Sequence, residues 1–333
     1  MPEVAITAIG LGGRAVRGLD LPCAVHVEED AVRAFATRHH AELRWANRGT
    51  VLTAAVVDAV LTRRWPDPAA RPAHLALVVG SAFGNQGETT RYFRRILGER
   101  PDQVPPMASY DVAVNSFVGL CSLLFRASGP VLMVSSGAVS ALDALATAAG
   151  IVGGGEAEVA IVVGVEHDCP EACAHAGVPP EPGVSEGVAV LLLERARRAD
   201  ASGTLVDVAS ACVAPHGLAA ARDALVAQLL DAHGISAVAT VVAGGIEPDG
   251  LHAPHVARGP RAEPCPASPA AVGAVGALAA AVALQRAADA GPAGVGVAVA
   301  VDRDGWVAAA LLRAPDGRTG PSGAREEVSP CPP

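Results

Sequence analysis

The chain has 333 residues, of which 51% are hydrophobic, and a formal net charge of −9. This length and composition predict a large buried core, in one large domain or two closely packed ones. The sequence shows no basic patch interleaved with aromatic residues, which argues against nucleic acid as a partner. It also lacks an uninterrupted apolar run of about 18 residues and a basic N-terminal segment, which argues against a membrane span and a secretion signal. We therefore expect a folded cytoplasmic protein.

The lysine and cysteine content argues against further kinds of chemistry and structure. All 25 residues counted as Lys or Arg are arginine, so Schiff-base lysine chemistry and a Walker A lysine are ruled out. The seven cysteines are dispersed and odd in number. This pattern is typical of reduced cytosolic thiols rather than of a disulfide framework.

Short β-branched runs alternate with Ala- and Leu-rich stretches, a pattern typical of an α/β protein with helices on both faces of its strands. In chain order, strands are predicted at 4–9, 75–79, 131–135, 159–163, 188–193, 205–211, 237–243, 294–301 and 306–312. Helices are predicted at 50–61, 111–126, 216–233 and 269–288. The second part repeats the order of the first, which indicates a duplicated unit. We expect an N-terminal half over 1–203, a C-terminal half over 204–315 and a disordered tail over 316–333.

One strand-turn-helix stretch, "GPVLMVSSGAVSALDALATAA", has the shape in which enzymes hold a nucleophile. Its turn contains Ser135 and Ser136, and Ser140 follows at the start of the helix. A serine here could act in an acyltransferase or a thioesterase-like enzyme. The G-x-S-x-G elbow is missing, however, and no Ser-His-Asp order is evident. A structural role explains the same sequence, because small residues let the helix pack closely on the strand.

Six stretches resemble, in order and spacing, the β-ketoacyl synthases of the thiolase-like fold. They are "VAITAIG", "LALVVGSAFGNQGETTRYFRRIL", "GPVLMVSSGAVSALDALATAA", "GGGEAEVAIVVGVE", "SEGVAVLLLERARRA" and "VGAVGALAAAVAL", and they span residues 1 to about 313. The resemblance implies duplicated βαβαβαββ halves that form a five-layered α-β-α-β-α architecture.

The resemblance also implies where catalytic groups would stand, and in this chain each such position is vacant. The nucleophilic cysteine of the family falls on Ala138, and the first catalytic histidine falls on Gly244. The second histidine falls near Ala270, and the supporting lysine near Cys265. The closing G-F-G-G loop, whose backbone N–H helps form the oxyanion hole, is replaced by "VAVDRDGWV". The fold is thus expected to be catalytically inactive by itself.

An inert ketosynthase fold resembles the chain-length factor, the β subunit of type II polyketide ketosynthases. That resemblance implies a heterodimer with a catalytic ketosynthase, an acyl tunnel shaped by both subunits, an acyl carrier protein as a second partner, and no cofactor. Chain-length factors of aromatic pathways usually carry glutamine where Ala138 stands, and they are longer. The shortened forms of polyene-making systems match better. A purely structural pseudoenzyme is the other alternative.

Two groups of residues are candidates for that function. By resemblance, the segment "MASYDVAVNSFVGLCSLLF" lies at the subunit interface beside the tunnel, although an ordinary dimer core would need the same apolar faces. Its tunnel and chain-length candidates are Met107, Tyr110, Val114, Phe117, Val118 and Cys121. The candidates for docking an acidic carrier are Arg91, Arg94 and Arg95, which a solvated helix face would also explain.

Two histidine-containing loops carry weaker signals. The ligand types of His167, Cys169, Cys173 and His175 suit zinc, but their spacing matches no standard zinc finger or ribbon, so we expect no metal. His252 and His255 lie close to the vacant first histidine position. They could be displaced catalytic groups, yet surface loop histidines are the simpler interpretation.

Overall fold

A computed structural model describes residues 3–16, 19, 21–98, 101–104, 109, 112–113, 115–167, 174, 186–195, 201–245, 263–264, 274–292 and 294–315. Its strands are β1 (Val4–Gly12), β2 (Ala24–Val27), β3 (Leu75–Gly80), β4 (Val131–Val134), β5 (Val159–Glu166), β6 (Gly187–Glu194), β7 (Gly203–Cys212), β8 (Thr240–Gly245), β9 (Glu263–Pro264), β10 (Val295–Val301) and β11 (Trp306–Arg313). Its helices are α1 (Glu29–Arg38), α2 (His40–Leu43), α3 (Arg48–Arg64), α4 (Gln86–Gly98), α5 (Ser116–Phe125), α6 (Ser140–Gly154), α7 (Leu218–Ala232) and α8 (Val275–Asp289).

The described strands form one large sheet in the order β4-β3-β5-β6-β1-β7-β11-β10-β8-β9, with β2 beside β1. Each side of the β1–β7 junction repeats one arrangement. Strands β4, β3 and β5 are parallel, and β6 and β1 follow antiparallel to their neighbours. Strands β9, β8 and β10 are likewise parallel, with β11 and β7 following antiparallel. The repeated order confirms the predicted α/β duplication, while the division at residue 203 stays a prediction.

The strands place alternate side chains in two different cores, as the two-residue period of a strand requires. In β3, Leu75, Leu77 and Val79 pack in the core formed with α3 and α5, whereas Ala76 and Val78 face the centre. Helices α6 and α8 fill the centre between the two parts of the sheet. Helix α7 covers the outer face of the second part. These layers give the α-β-α-β-α architecture that the sequence predicts.

Small residues let the central helices approach the sheet. A Cβ atom at Gly164 of β5 would lie 2.8 Å from the Ala277 Cβ atom of α8 and 2.9 Å from the Ala141 Cβ atom of α6. The segment Gly137–Gly154 is long and apolar enough to cross a membrane by length and composition. In the structure, 61% of it is buried inside the protein. Its place between the two parts of the sheet is that of a core helix.

Several predicted boundaries differ from the structure by a few residues. Helix α5 begins at Ser116 rather than at 111, and it ends where Arg126 adopts a left-handed φ of 53°. Strand β8 begins at Thr240 rather than at 237. Helix α8 begins at Val275, and the preceding predicted residues 269–273 lie outside the described residues, as does the tail 316–333. Sequence analysis also missed β2, α1 and α2, which follow the first strand.

Candidate functional site

The turn between β4 and α6 forms an elbow at the carboxyl end of the parallel strands. Strand β4 ends at Val134, and a 3-10 turn over Gly137–Val139 leads into α6. Ala138 lies in this turn and is fully buried. Its methyl group has no atom that can take up an acyl group, so the elbow lacks a nucleophile at the position where the sequence analysis places the cysteine of the family.

The backbone of the elbow is bonded to a buried carboxylate from the other part of the sheet. The Ala138 N–H donates a hydrogen bond of 2.6 Å to Asp302 Oδ2. Asp302 follows β10, is 1% exposed, and accepts a second bond of 2.9 Å from the Asp304 N–H to its Oδ1. Since the N-terminal end of a helix carries partial positive charge, this carboxylate is electrostatically favourable there.

The three serines of the elbow are bound by local hydrogen bonds. The Ser140 hydroxyl is buried, donates to the Gly137 carbonyl at 2.6 Å, and accepts the Ser136 N–H at 2.8 Å. The Ser136 hydroxyl donates to Asp143 Oδ2 at 2.6 Å, and that of Ser135 donates to the Ala82 carbonyl at 3.3 Å. None of these hydroxyl contacts within the described residues involves a histidine. The described elbow therefore offers no histidine that could activate a serine.

A buried glutamate lies at the end of the neighbouring strand β5. Glu166 is fully buried and accepts hydrogen bonds from the Ala82 N–H at 3.0 Å and from the Ser81 hydroxyl at 3.4 Å. Burial raises the pKa of Glu166 to about 8, although the backbone amides around it partly oppose this rise. The group is thus largely protonated near neutral pH. It orders the loop after β3, which faces the elbow across Ser81 and Ser140.

We expect Glu166→Gln to remove a pH dependence of stability. The folded pKa lies above that of the unfolded chain, so between about pH 4.5 and 8 the folded state binds more protons. The free energy of unfolding therefore falls as pH rises through this window, and it levels off above it. The glutamine keeps an acceptor for the Ala82 N–H but cannot ionise. Thermal unfolding from pH 5 to 8.5 measures the difference.

Glu158→Gln is the matched control, because Glu158 is exposed just before the same strand. This variant should keep the pH dependence of the parent protein. An unchanged pH dependence in Glu166→Gln would contradict the assigned role of Glu166.

His167, the residue after Glu166, is buried against α5. Its ring lies edge-on to that of Phe117, with centroids 6.3 Å apart. Burial lowers the pKa of His167, so the ring is neutral near pH 7. Among the described residues, neither ring nitrogen meets a partner with good hydrogen-bond geometry. Cys169, Cys173 and His175, the other members of the predicted cluster, lie outside the described residues.

The tunnel candidates that the structure describes face inward. Phe117, Val118 and Cys121 are at most 2% exposed and pack in the core between α5 and the sheet. Burial raises the pKa of the Cys121 thiol to about 12, so this thiol is unreactive near neutral pH. Met107, Tyr110 and Val114 lie outside the described residues. A tunnel role for these six residues stays a prediction.

The other predicted positions are placed as follows. Gly244 is buried in β8. Cys265, Ala270, His252 and His255 lie outside the described residues. Within the described residues, no cluster of three or more His, Cys, Asp or Glu side chains could hold a metal ion.

The three arginines of the predicted docking site are exposed on α4. Arg91 forms an ion pair with Glu88 one turn earlier on the helix. Arg94 and Arg95 also make interactions of their own. The helix thus presents basic groups to solvent, with two exposed apolar residues, Phe93 and Leu97, on the same helix.

Apolar side chains are also exposed at β4 and α5. Strand β4 is the outermost strand of the described sheet on its side. Leu132 of β4 is 41% exposed and Leu123 of α5 is 75% exposed. An open strand edge with apolar neighbours is typical of a surface that another chain covers.

Asp302 and Glu166 are the residues of this site that sequence reasoning missed. Asp302 follows the continuous apolar strand "VGVAVAV". Glu166 is the last residue of the strand "VAIVVGVE". An acidic residue at the end of a buried strand is the signal that would have identified both, because such a carboxyl must find donors inside the protein.

The fold defines the class of protein. It is the thiolase-like fold of ketosynthases, as three solved structures show. The ishigamide ketosynthase/chain length factor matches with a TM-score of 0.69 and 23% identity, over 82% of this chain and 82% of that chain. A chain from the complex of a type II polyketide synthase acyl-carrier protein with its ketosynthase bound to the hexaketide matches with a TM-score of 0.73 and 17% identity, over 94% of this chain and 99% of that chain. A β-ketoacyl synthase from Burkholderia phymatum matches with a TM-score of 0.67 and 15% identity, over 94% of this chain and 100% of that chain.

The sequence of the first part of the chain matches one family model. Residues 30–177 match the family model described as Beta-ketoacyl synthase, N-terminal domain. This segment, which contains the elbow, is thus similar to the N-terminal domain of β-ketoacyl synthases. No curated protein matches the chain by sequence. The family-model match and the three similar structures confirm the resemblance on which the predicted fold depends.

Proposed function

We propose that the protein is a non-catalytic ketosynthase-like subunit, a chain-length factor, which pairs with an active ketosynthase and helps to shape its acyl tunnel. The observation that carries this proposal is Ala138 at the elbow between β4 and α6. A condensing enzyme needs a nucleophile that accepts the acyl group, and an alanine methyl cannot serve. The fold around it is nevertheless complete over the described strands. A scaffold without its nucleophile fits a subunit that acts through its shape.

The exposed edge supports a protein partner. Within the described part of the chain, no strand pairs with the outer side of β4, and Leu132 of β4 and Leu123 of α5 are exposed. A second chain that adds a strand to β4 would satisfy the backbone groups on that side and cover the leucines. One similar structure is that of a ketosynthase with its chain length factor, which suggests an active ketosynthase as the partner.

The carrier protein is the second proposed partner. Acyl carrier proteins are acidic, and the exposed α4 helix carries Arg91, Arg94 and Arg95. A structurally similar chain comes from the complex of an acyl-carrier protein with its ketosynthase. We extend the same proposal to a cytoplasmic location and to a polyene-type product. Ala138 in place of glutamine is the feature that supports this product type.

Reconstitution tests the proposed function. The purified chain, the ketosynthase encoded nearest to it, and their co-expressed complex are each supplied with acyl carrier protein and extender units. We expect a stable 1:1 complex, and products only from the complex. Condensation or thioester hydrolysis by this chain alone, abolished by Ser136→Ala or Ser140→Ala, would instead establish the serine-enzyme alternative. The absence of any stable complex would overturn the proposal.

A further inference from the structure

Asp302 forms an unusual contact between the two parts of the fold. It lies in the tight turn between β10 and β11, where the Asp302 N–H donates to the Trp306 carbonyl at 2.8 Å and the Gly305 N–H donates to the Asp302 carbonyl at 3.0 Å. Its side chain extends from this turn to the elbow that precedes α6. A hydrogen-bonded hairpin turn thus holds a carboxylate against the start of a helix that packs on the other part of the sheet.

The contact is buried and specific. Asp302 is 1% exposed, and its two carboxylate oxygens accept bonds from the backbone N–H groups of Ala138 and Asp304. A buried carboxylate needs such donors, because an unpaired one is costly to remove from water. Here one of the two donors is the amide at the centre of the elbow.

The elbow is shaped for this carboxylate. Gly137 has a left-handed φ of +64°, and a Cβ atom built there would lie 2.1 Å from Asp302 Oδ2. No side chain larger than glycine fits at 137 while the carboxylate stays in place. Gly137 and Asp302 are therefore sterically complementary across the two parts of the fold.

We infer that Asp302 is an internal anion that occupies the elbow and closes it to an acyl group. Backbone amides at the start of a helix are the groups with which elbows bind anions and stabilise oxyanions. The Ala138 amide already donates to Asp302, and the carboxylate would repel an oxyanion or a thiolate placed beside it. A cysteine at 138 alone would therefore not restore a reactive centre. This inference goes beyond the proposed function, since it concerns the elbow of the single chain and requires no partner.

Thiol reactivity tests this inference in the full-length chain. We compare Ala138→Cys with the double variant Ala138→Cys, Asp302→Asn, and measure the rate of alkylation by iodoacetamide against pH. Mass spectrometry of the peptide that contains position 138 separates this thiol from the seven native cysteines. Removal of the carboxylate should lower the pKa of the new thiol by about one unit and raise its alkylation rate at pH 7 roughly tenfold, because the helix N-terminus then favours the thiolate.

Asp304→Asn in the Ala138→Cys background is the matched control. It removes one acidic charge two residues away, at an exposed position, and leaves the Asp302 carboxylate at the elbow. Its alkylation rate should stay within about twofold of that of Ala138→Cys, since an exposed charge is screened by solvent. Equal rates with and without the Asp302 carboxylate would overturn the inference.

Amide hydrogen exchange of the unaltered chain covers the case in which the Asp302 variant does not fold. A bonded and buried Ala138 N–H should exchange far more slowly than the N–H of the exposed Ser135 in the same turn. Similar exchange rates would overturn the inference without any substitution. Failure to bind a ketosynthase would count against the proposed function alone, because neither measurement involves a partner.

Discussion

Met133→Pro is expected to weaken the complex with a ketosynthase while this chain stays folded. The carbonyl of Pro130, just before β4, accepts a hydrogen bond from the Leu77 N–H of β3, and the carbonyl of Val134 in β4 accepts one from the Ser81 N–H just after β3. Backbone groups of alternate strand residues point in opposite directions, so those of Val131 and Met133 point to the open edge. Proline is tolerated there in the single chain, because its missing N–H faces solvent.

The same missing N–H matters once a partner strand pairs with β4. The partner's carbonyl is then buried without a donor, which costs about 1–3 kcal/mol, or roughly 5- to 150-fold in Kd. Size-exclusion chromatography and titration calorimetry with the ketosynthase measure this loss. The thermal midpoint of the lone variant should fall only modestly, through loss of the partly buried Met133 side chain from the core beside α5.

Met133→Leu is the matched control, since it keeps both the N–H and an apolar side chain of similar volume. Its complex should form with nearly the affinity of the unaltered chain. If Met133→Pro bound the ketosynthase as tightly as Met133→Leu does, the partner would have to dock on a different surface.

The fold was accessible from the sequence because its strands carry continuous apolar runs. Strands such as Val159–Glu166 are buried along their whole length, so their composition is unmistakable and their order reveals the duplication. Helix α1 was missed because it is short and mostly exposed, with only Val32 and Phe35 buried. Because most of its residues are charged or exposed, its sequence shows only a weak apolar periodicity.

The elbow was predicted only in part. The resemblance located Ala138, and the structure indeed places it in a buried turn before α6. The contact with Asp302 joins residues 164 positions apart, and no local pattern encodes such a pairing. The same limit applies to α5, where helical spacing marks Phe117 and Cys121 as apolar. Spacing does not reveal whether that apolar face meets the chain's own core or a tunnel.

Phe117→Ala is expected to lower the free energy of unfolding of this chain by about 3–5 kcal/mol, because it leaves a cavity in a packed core. Phe117 is 1% exposed, packs between α5 and the sheet, and lies against the ring of His167. Denaturant-induced unfolding measures the change. Phe93→Ala on α4 is the control, since Phe93 is 52% exposed and its removal should change stability by no more than about 0.5 kcal/mol.

A smaller substitution separates stability from the proposed tunnel role. Phe117→Leu keeps most of the buried volume, so the complex should still assemble and permit analysis of its products. If α5 limits the tunnel, the space gained should shift the products towards longer chains, as mass spectrometry of the released acyl chains would show. Unchanged product lengths in a stable complex would favour a purely structural subunit, and Phe117 would then serve the core alone. A small stability loss in Phe117→Ala, comparable with that of Phe93→Ala, would contradict the packing of α5 itself.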